Sequence, residues 1–468
     1  MSDSREPGRA STAVNAPSSR AARTARLATL SARAGTRLWS ARRAERRGDT
    51  EAAAAAHADV AEAVLDHLGT MKGAAMKLGQ LLSYVDIDLN VEMSEVYQER
   101  LSALADAAPP SDPATIERTV TEEYGARPQS IFAHWEAEPF AVASIGQVHR
   151  AALHDGTEVA VKVQHPGIAE AVEADLANVD GLARLAGLVA PEVDARDLLE
   201  ELRVRVLAEL DYQEEARYQQ AFVDRYDGHP FVRIPRVVHH LVRPRVLVTE
   251  LAQGRRFAEM RASATQTERD RFGEIIFRFV FGSLYRFRIF NSDPHPGNFI
   301  FGDDGTVTFL DFGSSKAFGV DARERLQAVH RAVAASDPDE LAQTMRAAGL
   351  MAPESTADME IALDWFQLLR EPMMHDAPYT YTPDYARRVV AASSNPDSPY
   401  RPTLQQLAMP AEYLLLNRIT FGVNSLLARI TPTANWHRIM LELSEGAAPA
   451  TELGVLEAPF FVDHEHAA

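Results

Sequence analysis

The spacing of apolar residues changes near residue 140 and separates a helical first part from a part with strand character. Between residues 64 and 85, apolar side chains recur at alternating steps of four and three, which places them on one stripe of a helix. Residues 94–107 predict a second helix, which ends before a proline pair. Asp112 and Pro113 supply a cap and a first-turn proline, so another helix is expected to begin there.

Strand patterns follow, with apolar residues alternating in short runs that turn residues separate. Helical spacing is expected within residues 168–226 and over a long helix at 266–287. After residue 322 the chain is expected to be helical, with a polar break at 393–402. The predicted strands are 140–144, 147–153 and 158–164, a second hairpin of 232–240 and 245–251, and a short hairpin of 299–301 and 307–310.

Two short motifs near residue 300 carry the chemistry. Asp293-Pro-His-Pro-Gly-Asn298 is followed thirteen residues later by Asp311-Phe-Gly. This order is typical of phosphoryl transfer from ATP, in which one Asp orients or deprotonates the acceptor while an Asn and a second Asp hold Mg²⁺ through oxygen atoms. Asp293 is therefore the candidate catalytic residue, and Asn298 and Asp311 are the candidate metal ligands.

Such a site also needs a lysine for the phosphates and an acidic partner for that lysine. Lys162 ends the apolar run Val-Ala-Val-Lys of a predicted strand, where an unpaired ammonium would be costly to bury. Glu215, in a helix predicted over residues 200–218, is the candidate partner. Glu250 and Ala252 close the second predicted hairpin and fit a hinge whose backbone meets adenine.

Four sequence features together resemble the UbiB (AarF) atypical kinase-like family over roughly residues 65–430. One is a lid without glycines at its tip, Ala141-Val142-Ala143-Ser144. The second is Lys77-Leu-Gly79-Gln80, the third is Glu209-Leu-Asp211, and the fourth is the Asp-Pro-His-Pro-Gly-Asn run. The resemblance implies an α+β, two-lobed protein-kinase-like fold that binds ATP with Mg²⁺ and supports isoprenoid-quinone lipid biosynthesis, often through ATPase activity.

The resemblance also implies roles for residues that spacing alone leaves unassigned. The lid residues would cover the nucleotide, and Lys162 with Glu215 would form the ion pair on its phosphates. Lys77, Gly79 and Gln80 would lie in the site, with Glu209 and Asp211 as nucleotide-side partners, and would occlude a peptide acceptor. Val142 departs from the family's usual Ala, no His-Arg precedes Asp293, and no Ala-Pro-Glu follows the second motif. An ordinary peptide platform is therefore not expected.

Composition, residue pattern and this resemblance together divide the chain into five predicted parts. They are a disordered basic arm (1–48), a helical extension (49–135), a kinase-like N-lobe with inserted helices (136–253), a kinase-like C-lobe (254–345) and a helical C-terminal region with a polar tail (346–468). Two other functions remain open: a small-molecule phosphotransferase of the antibiotic-kinase type, and a nucleotide-binding pseudokinase scaffold. The extension and its acidic partners disfavour the first, because such enzymes leave the acceptor side open.

Composition limits the partners. The chain has no cysteine, which excludes disulfides, thiolate metal sites and a cysteine nucleophile. The formal net charge is -18, although residues 1–50 hold eleven Arg against four acidic residues, and an acidic body argues against nucleic-acid binding. No apolar run is long enough to span a membrane. We therefore expect a cytoplasmic protein whose basic arm makes peripheral contact with anionic membrane, and whose ligands are a nucleotide and a quinone precursor or lipid.

Overall fold

The structure is a computed structural model, and it describes residues 110–170 and 210–465 except 144, 292, 395–397 and 408–410. The basic arm, most of the helical extension and the predicted inserted helices over 171–209 lie outside the described residues. The helices are α1 (Pro113–Tyr124), α2 (Pro128–Ile131), α3 (Tyr212–Tyr226), α4 (Phe257–Ser263), α5 (Gln266–Gly282), α6 (Val320–Ala335), α7 (Pro338–Ala347), α8 (Met359–Leu369), α9 (Glu371–Met374), α10 (Pro383–Ser394), α11 (Arg401–Leu404), α12 (Ala411–Ile430), α13 (Trp436–Glu445) and α14 (Glu452–Glu465). The strands are β1 (His134–Trp135), β2 (Ala141–Val142), β3 (Gly146–Ala152), β4 (Glu158–Gln164), β5 (Val232–Arg233), β6 (Val246–Glu250), β7 (Arg255–Arg256), β8 (Ile289–Asn291), β9 (Phe299–Phe301), β10 (Val307–Phe309), β11 (Ser315–Ala317), β12 (Tyr379–Thr380) and β13 (Thr433–Ala434).

The first lobe is an antiparallel sheet in the order β1-β3-β4-β6, with β2 paired to β3. Val159, Val161 and Val163 of β4 are fully buried in a core that includes residues of α1. Since side chains alternate along a strand, Lys162 lies on the opposite face. The predicted cap of α1 is confirmed, because the Asp112 carboxylate accepts a hydrogen bond from the Thr115 N–H at 3.1 Å.

The second predicted hairpin is only partly correct. Val232 and Arg233 pair in parallel with β10 of the other lobe, whereas Val237 bridges to Thr249 of β6. Pro235 lies between them, and a proline lacks the N–H that a continuous strand would donate. Residues His239–Leu241 form a 3₁₀ turn in place of the predicted strand. The predicted strand is thus divided between two sheets.

The second lobe is built around α5, which the sequence predicted. Thr265 caps this helix in a capping box with Glu268, and every residue from Phe272 to Gly282 is buried. A π-helical turn over Ser283–Phe287 continues it. The predicted β9–β10 hairpin is confirmed and lies in a sheet of order β5-β10-β9-β7. One apolar core joins α5, this hairpin and the C-terminal helices.

The C-terminal region is helical, as predicted, except for the short β12–β13 pair. The last helix, α14, is held on α5 by ion pairs from its buried Glu457 to Arg278 at 2.9 Å and Arg286 at 3.3 Å. Within the described part of the chain, no helix has the length and apolar character needed to span a bilayer.

Candidate functional site

Lys162 and Glu215 form the ion pair that the sequence predicted. The Lys162 Nζ lies 2.8 and 2.9 Å from the two carboxylate oxygens of Glu215, and 3.5 Å from Oδ2 of Asp311. The ammonium also lies 5.0 Å from the ring centre of Tyr212. Lys162 lies in β4 and Glu215 lies in α3, so the ion pair joins these two elements. Asp211 caps α3 by accepting the Gln213 N–H, and this cap sets where the helix begins.

The charge state of Lys162 follows from these contacts. Burial alone would lower the pKa of its ammonium, but the carboxylates of Asp311 and Glu215 outweigh burial and hold the pKa well above its ordinary value. The side chain is only 16% exposed. The site therefore contains a permanent, partly desolvated cation next to a carboxylate, which suits a phosphate chain bridged by a metal.

The loop after β8 carries the first chemical motif. The Asn298 Nδ2 donates to the Asp293 carbonyl oxygen at 3.1 Å and to Asp293 Oδ2 at 3.3 Å. The backbone carbonyl oxygen of Asn298 accepts the Leu310 N–H at 3.0 Å. These bonds link the candidate catalytic residue and the first candidate metal ligand to the hairpin that leads to the second.

Asn291 is the residue that sequence reasoning missed. Its Oδ1 accepts the Asp293 N–H at 3.0 Å, and its Nδ2 donates to the carbonyl oxygen of Asp311. One side chain thereby fixes the backbones of both loops. The sequence carries a weak signal for it, because Asn291 stands two residues before Asp293, where the His of a kinase His-Arg-Asp would be, but this alone indicates only a departure from that motif.

The Asp-Phe-Gly segment is well packed on α3. Phe312 is fully buried, and its ring centre lies 4.9 Å from that of Phe222. The Gly313 N–H donates to Asp311 Oδ1 at 2.9 Å. The β11 strand that follows pairs with β8, which directly precedes the loop that carries Asp293. The helix that carries Glu215 and the loop that carries Asp311 are thus in direct contact.

The lid is a tight hairpin formed by β2 and β3. Ala141 pairs with Val148, Val142 pairs with Gln147, and the Ala143 N–H donates to the Gly146 carbonyl oxygen at 2.7 Å. A Cβ at Gly146 would lie 2.5 Å from the carbonyl oxygen of Val163 on β4, so only glycine fits at this turn. Ser144 lies outside the described residues.

The predicted hinge lies at the end of β6. Glu250 is the last residue of the strand, and its N–H donates to the Arg236 carbonyl oxygen at 3.0 Å. Ala252 follows in irregular chain and is half-buried. The Glu250 side chain accepts the Arg236 N–H at 3.1 Å, so its carboxylate is tied to the preceding segment while its backbone stands between the two lobes.

The regulatory residues implied by the resemblance are mostly beyond the structure's description. Lys77, Gly79, Gln80 and Glu209 lie outside the described residues. Asp211 is described, and the contact it shows is the helix cap on α3. Its proposed pairing with the extension stays a prediction.

The donor set fits a magnesium–nucleotide complex. Asn298 and Asp311 supply an amide oxygen and a carboxylate, which are the hard ligands that Mg²⁺ prefers. Among the residues that the structure describes, no group of three or more His, Asp or Glu side chains could hold a metal by itself. Mg²⁺ is usually bound by one or two protein carboxylates together with substrate phosphates, so Asn298 and Asp311 would hold it jointly with the nucleotide.

Comparisons with known proteins agree with this geometry. The ABC1 atypical kinase-like domain matches residues 103–345, more than half of the chain. The mitochondrial atypical kinase COQ8B of Rattus norvegicus is 33% identical over 332 residues, which cover 70% of this chain and 62% of that protein. The mitochondrial atypical kinase COQ8 of Saccharomyces cerevisiae is 29% identical, covering 55% and 51%. The chain thus spans between about half and three fifths of these two relatives.

A solved structure covers more of the chain. It is that of Rv3197 from Mycobacterium tuberculosis in complex with erythromycin, which is 29% identical with a TM-score of 0.60 and covers 84% of this chain and 97% of that one. The predicted α+β kinase-like fold is therefore confirmed. The lysine–glutamate pair, the two loop motifs and these matches together show that the chain belongs to the UbiB family of ABC1 atypical kinase-like proteins.

Proposed function

We propose that this protein is an ATP- and Mg²⁺-dependent ATPase or kinase that supports isoprenoid-quinone or related lipid metabolism. The observation that supports it is the convergence of three charged side chains: carboxylate oxygens of Glu215 and Asp311 lie within 3.5 Å of the Lys162 ammonium. In the complex, Lys162 would contact the phosphates and Asp311 would contact the metal, in place of their present contact with each other. The lipid part of the proposal rests on the resemblance to the UbiB family.

The residues have separate tasks in this proposal. Lys162 would hold the phosphates, and Glu215 would keep the ammonium in place. Asn298 and Asp311 would hold Mg²⁺, which on binding neutralises charge on the transferred phosphoryl group. Asp293, fixed by Asn291 and Asn298, would orient the attacking water or acceptor hydroxyl. The hydrogen-bonded loop therefore needs little reorganisation before reaction.

Turnover of ATP by the purified full-length protein tests the proposal, with and without Mg²⁺, a quinone-precursor mimic and anionic liposomes. Asp311→Asn should weaken Mg·ATP binding about tenfold or more, because it removes a charged metal ligand. Asp293→Asn should keep nucleotide binding and lower turnover, which is a loss specific to the transition state. Asp303→Asn is a matched control, since this carboxylate is 90% exposed on the nearby hairpin turn.

Three outcomes would contradict the proposal. Equal nucleotide affinity in a folded Asp311→Asn variant would remove the metal-ligand assignment. Binding without any turnover in the parent protein, under all lipid conditions, would favour the pseudokinase scaffold. Efficient phosphorylation of casein or basic peptides would instead indicate an ordinary protein kinase, because the extension is expected to block a peptide acceptor.

A further inference from the structure

The catalytic loop has a neighbour far away in the sequence. Gly422, in the middle of α12, lies against Pro294, the residue that follows the candidate catalytic Asp293. A Cβ built on Gly422 would lie 2.2 Å from Pro294 Cγ and 3.2 Å from its Cδ. The first distance is shorter than two carbon atoms can approach, and the second is tighter than most real contacts, so a side chain at Gly422 requires the loop or the helix to move.

The backbone of Gly422 gives no other reason for a glycine. The residue lies inside a regular helix, where glycine is less favourable than alanine by about 1 kcal/mol. Its φ lies outside the left-handed region. The close approach to Pro294, which is itself buried, is the contact that an alanine would disturb.

The helix is anchored two residues further on. Asn424 is 2% exposed, and its Nδ2 donates to the Leu369 carbonyl oxygen and to the Tyr385 hydroxyl, both at 3.1 Å. Its Oδ1 accepts the Tyr381 hydroxyl at 3.3 Å. Both tyrosines are fully buried, and the Tyr385 hydroxyl also donates to the Leu369 carbonyl oxygen at 2.8 Å. The partners of Asn424 thus come from three places: Leu369 ends α8, Tyr385 lies in α10, and Tyr381 lies in the short link between β12 and α10.

The anchor decides which partner would move. The helix is fixed by a satisfied buried network and by the fully buried Val423 next to it, whereas Asp293 on the loop is only half-buried. Since close-packed interiors transmit displacement, an added methyl group at Gly422 would push Pro294 and the loop. That shift would stretch the 3.0 Å contact of the Asp293 N–H with Asn291 and the 3.3 Å contact of its carboxylate with Asn298.

We propose that Gly422 and Asn424 are positioning residues for the catalytic loop, so that helix α12 of the C-terminal region is part of the active-site support. This inference rests on the phosphoryl-transfer function proposed above and deepens it. Gly422 sets the depth at which Pro294 sits, and Asn424 holds the helix against which it sits. In this arrangement both residues act on Asp293 through Pro294.

The test compares Gly422→Ala with two control glycines in helix α5. Gly273→Ala also places a Cβ against a proline ring, at 2.4 Å from Pro432, but outside the catalytic loop. Gly282→Ala meets only ordinary contact, at 3.6 Å from Leu443. We expect Gly422→Ala to lower kcat at least tenfold with less than a threefold change in nucleotide Kd, as misplacement of a reacting group on the order of 1 Å costs about 10²-fold.

Comparison with Gly273→Ala, and with a variant at Pro294, separates an effect on kcat from a general loss of stability. Gly422→Ala and Gly273→Ala should lower the melting temperature by similar amounts, but kcat of Gly273→Ala should stay within about twofold of the parent because its clash is remote. Pro294→Ala removes the ring that the new methyl group meets. The double variant Gly422→Ala/Pro294→Ala should therefore recover kcat to within about threefold of Pro294→Ala alone.

Amide hydrogen exchange of residues 291–299 provides a readout that needs no turnover. Exchange in this loop should rise in Gly422→Ala, return in the double variant and stay unchanged in Gly273→Ala. Absence of ATP turnover in the parent would defeat the proposed function and leave exchange to decide the positioning role. Unchanged loop exchange in Gly422→Ala, or loss of kcat in proportion to melting temperature in both alanine variants, would overturn the inference.

Discussion

Replacing Arg278 by methionine tests how the C-terminal helices are held on the second lobe. The Arg278 guanidinium is fully buried in α5 and meets three carboxylates. Its Nε donates to Glu274 at 2.6 Å, and its two terminal nitrogens donate to Glu442 at 2.8 and 2.9 Å. A further bond at 2.9 Å reaches Glu457 of α14. Three helices therefore converge on one cation.

The expected loss in the free energy of unfolding depends on which partners Glu457 and Glu442 retain after the substitution. Glu457 retains Arg286 at 3.3 Å, but Glu442 loses both of its guanidinium bonds while its side chain is only 5% exposed. Removing one partner of a buried ion pair costs about 3–5 kcal/mol, because the remaining charge is left without compensation. Methionine retains the apolar stem of the side chain, so we expect a loss of about 4 kcal/mol, mostly electrostatic.

Urea unfolding followed by tryptophan fluorescence measures this loss, because Trp436 of α13 is buried and packs 5.1 Å from Phe277 of α5. Limited proteolysis should then show cleavage near α14 before the rest of the chain. Arg438→Met is the matched control, since the guanidinium–carboxylate distances to Asp376 are 2.6 and 2.9 Å but both side chains are about half exposed. Such exposed pairs contribute little. Equal effects of the two variants would refute the reasoning.

The other predictions concern single positions. Burial lowers the pKa of His330 from 6.5 to about 3, so the unfolded state takes up a proton at a higher pH than the folded state does. The free energy of unfolding should therefore drop by about 2 kcal/mol between pH 7.5 and 5. His330→Leu should reduce the change of the urea midpoint over this pH range. Gly146→Ala places a Cβ 2.6 Å from the Tyr212 hydroxyl and should cost about 1–3 kcal/mol in thermal unfolding; full stability would contradict the close contact. Thr265→Ala removes the α5 capping box and should cost about 1 kcal/mol; an unchanged urea midpoint would argue against the cap.

Local patterns were sufficient for part of the fold and part of the site. The α5 helix, the β9–β10 hairpin and the cap at Asp112 follow from periodicity and turn residues within a few positions. The pairing of Lys162 with Glu215 was also predicted, because an ammonium in an apolar strand requires a buried carboxylate partner. Each of these features depends on short-range sequence or on a strong chemical requirement.

The tertiary structure decided contacts between segments far apart in the chain. The sequence places no signal at Gly422 for its contact with Pro294, and the ion pairs that join Arg278 to Glu442 and Glu457 span more than 160 residues. Such contacts depend on how helices pack, and packing depends on the shapes of all neighbouring side chains rather than on local periodicity. The sequence by itself determined most of the elements and the Lys162–Glu215 pair, while long-range packing determined how residues 232–240 divide between two sheets and what holds the Asp293 loop and the last helix in place.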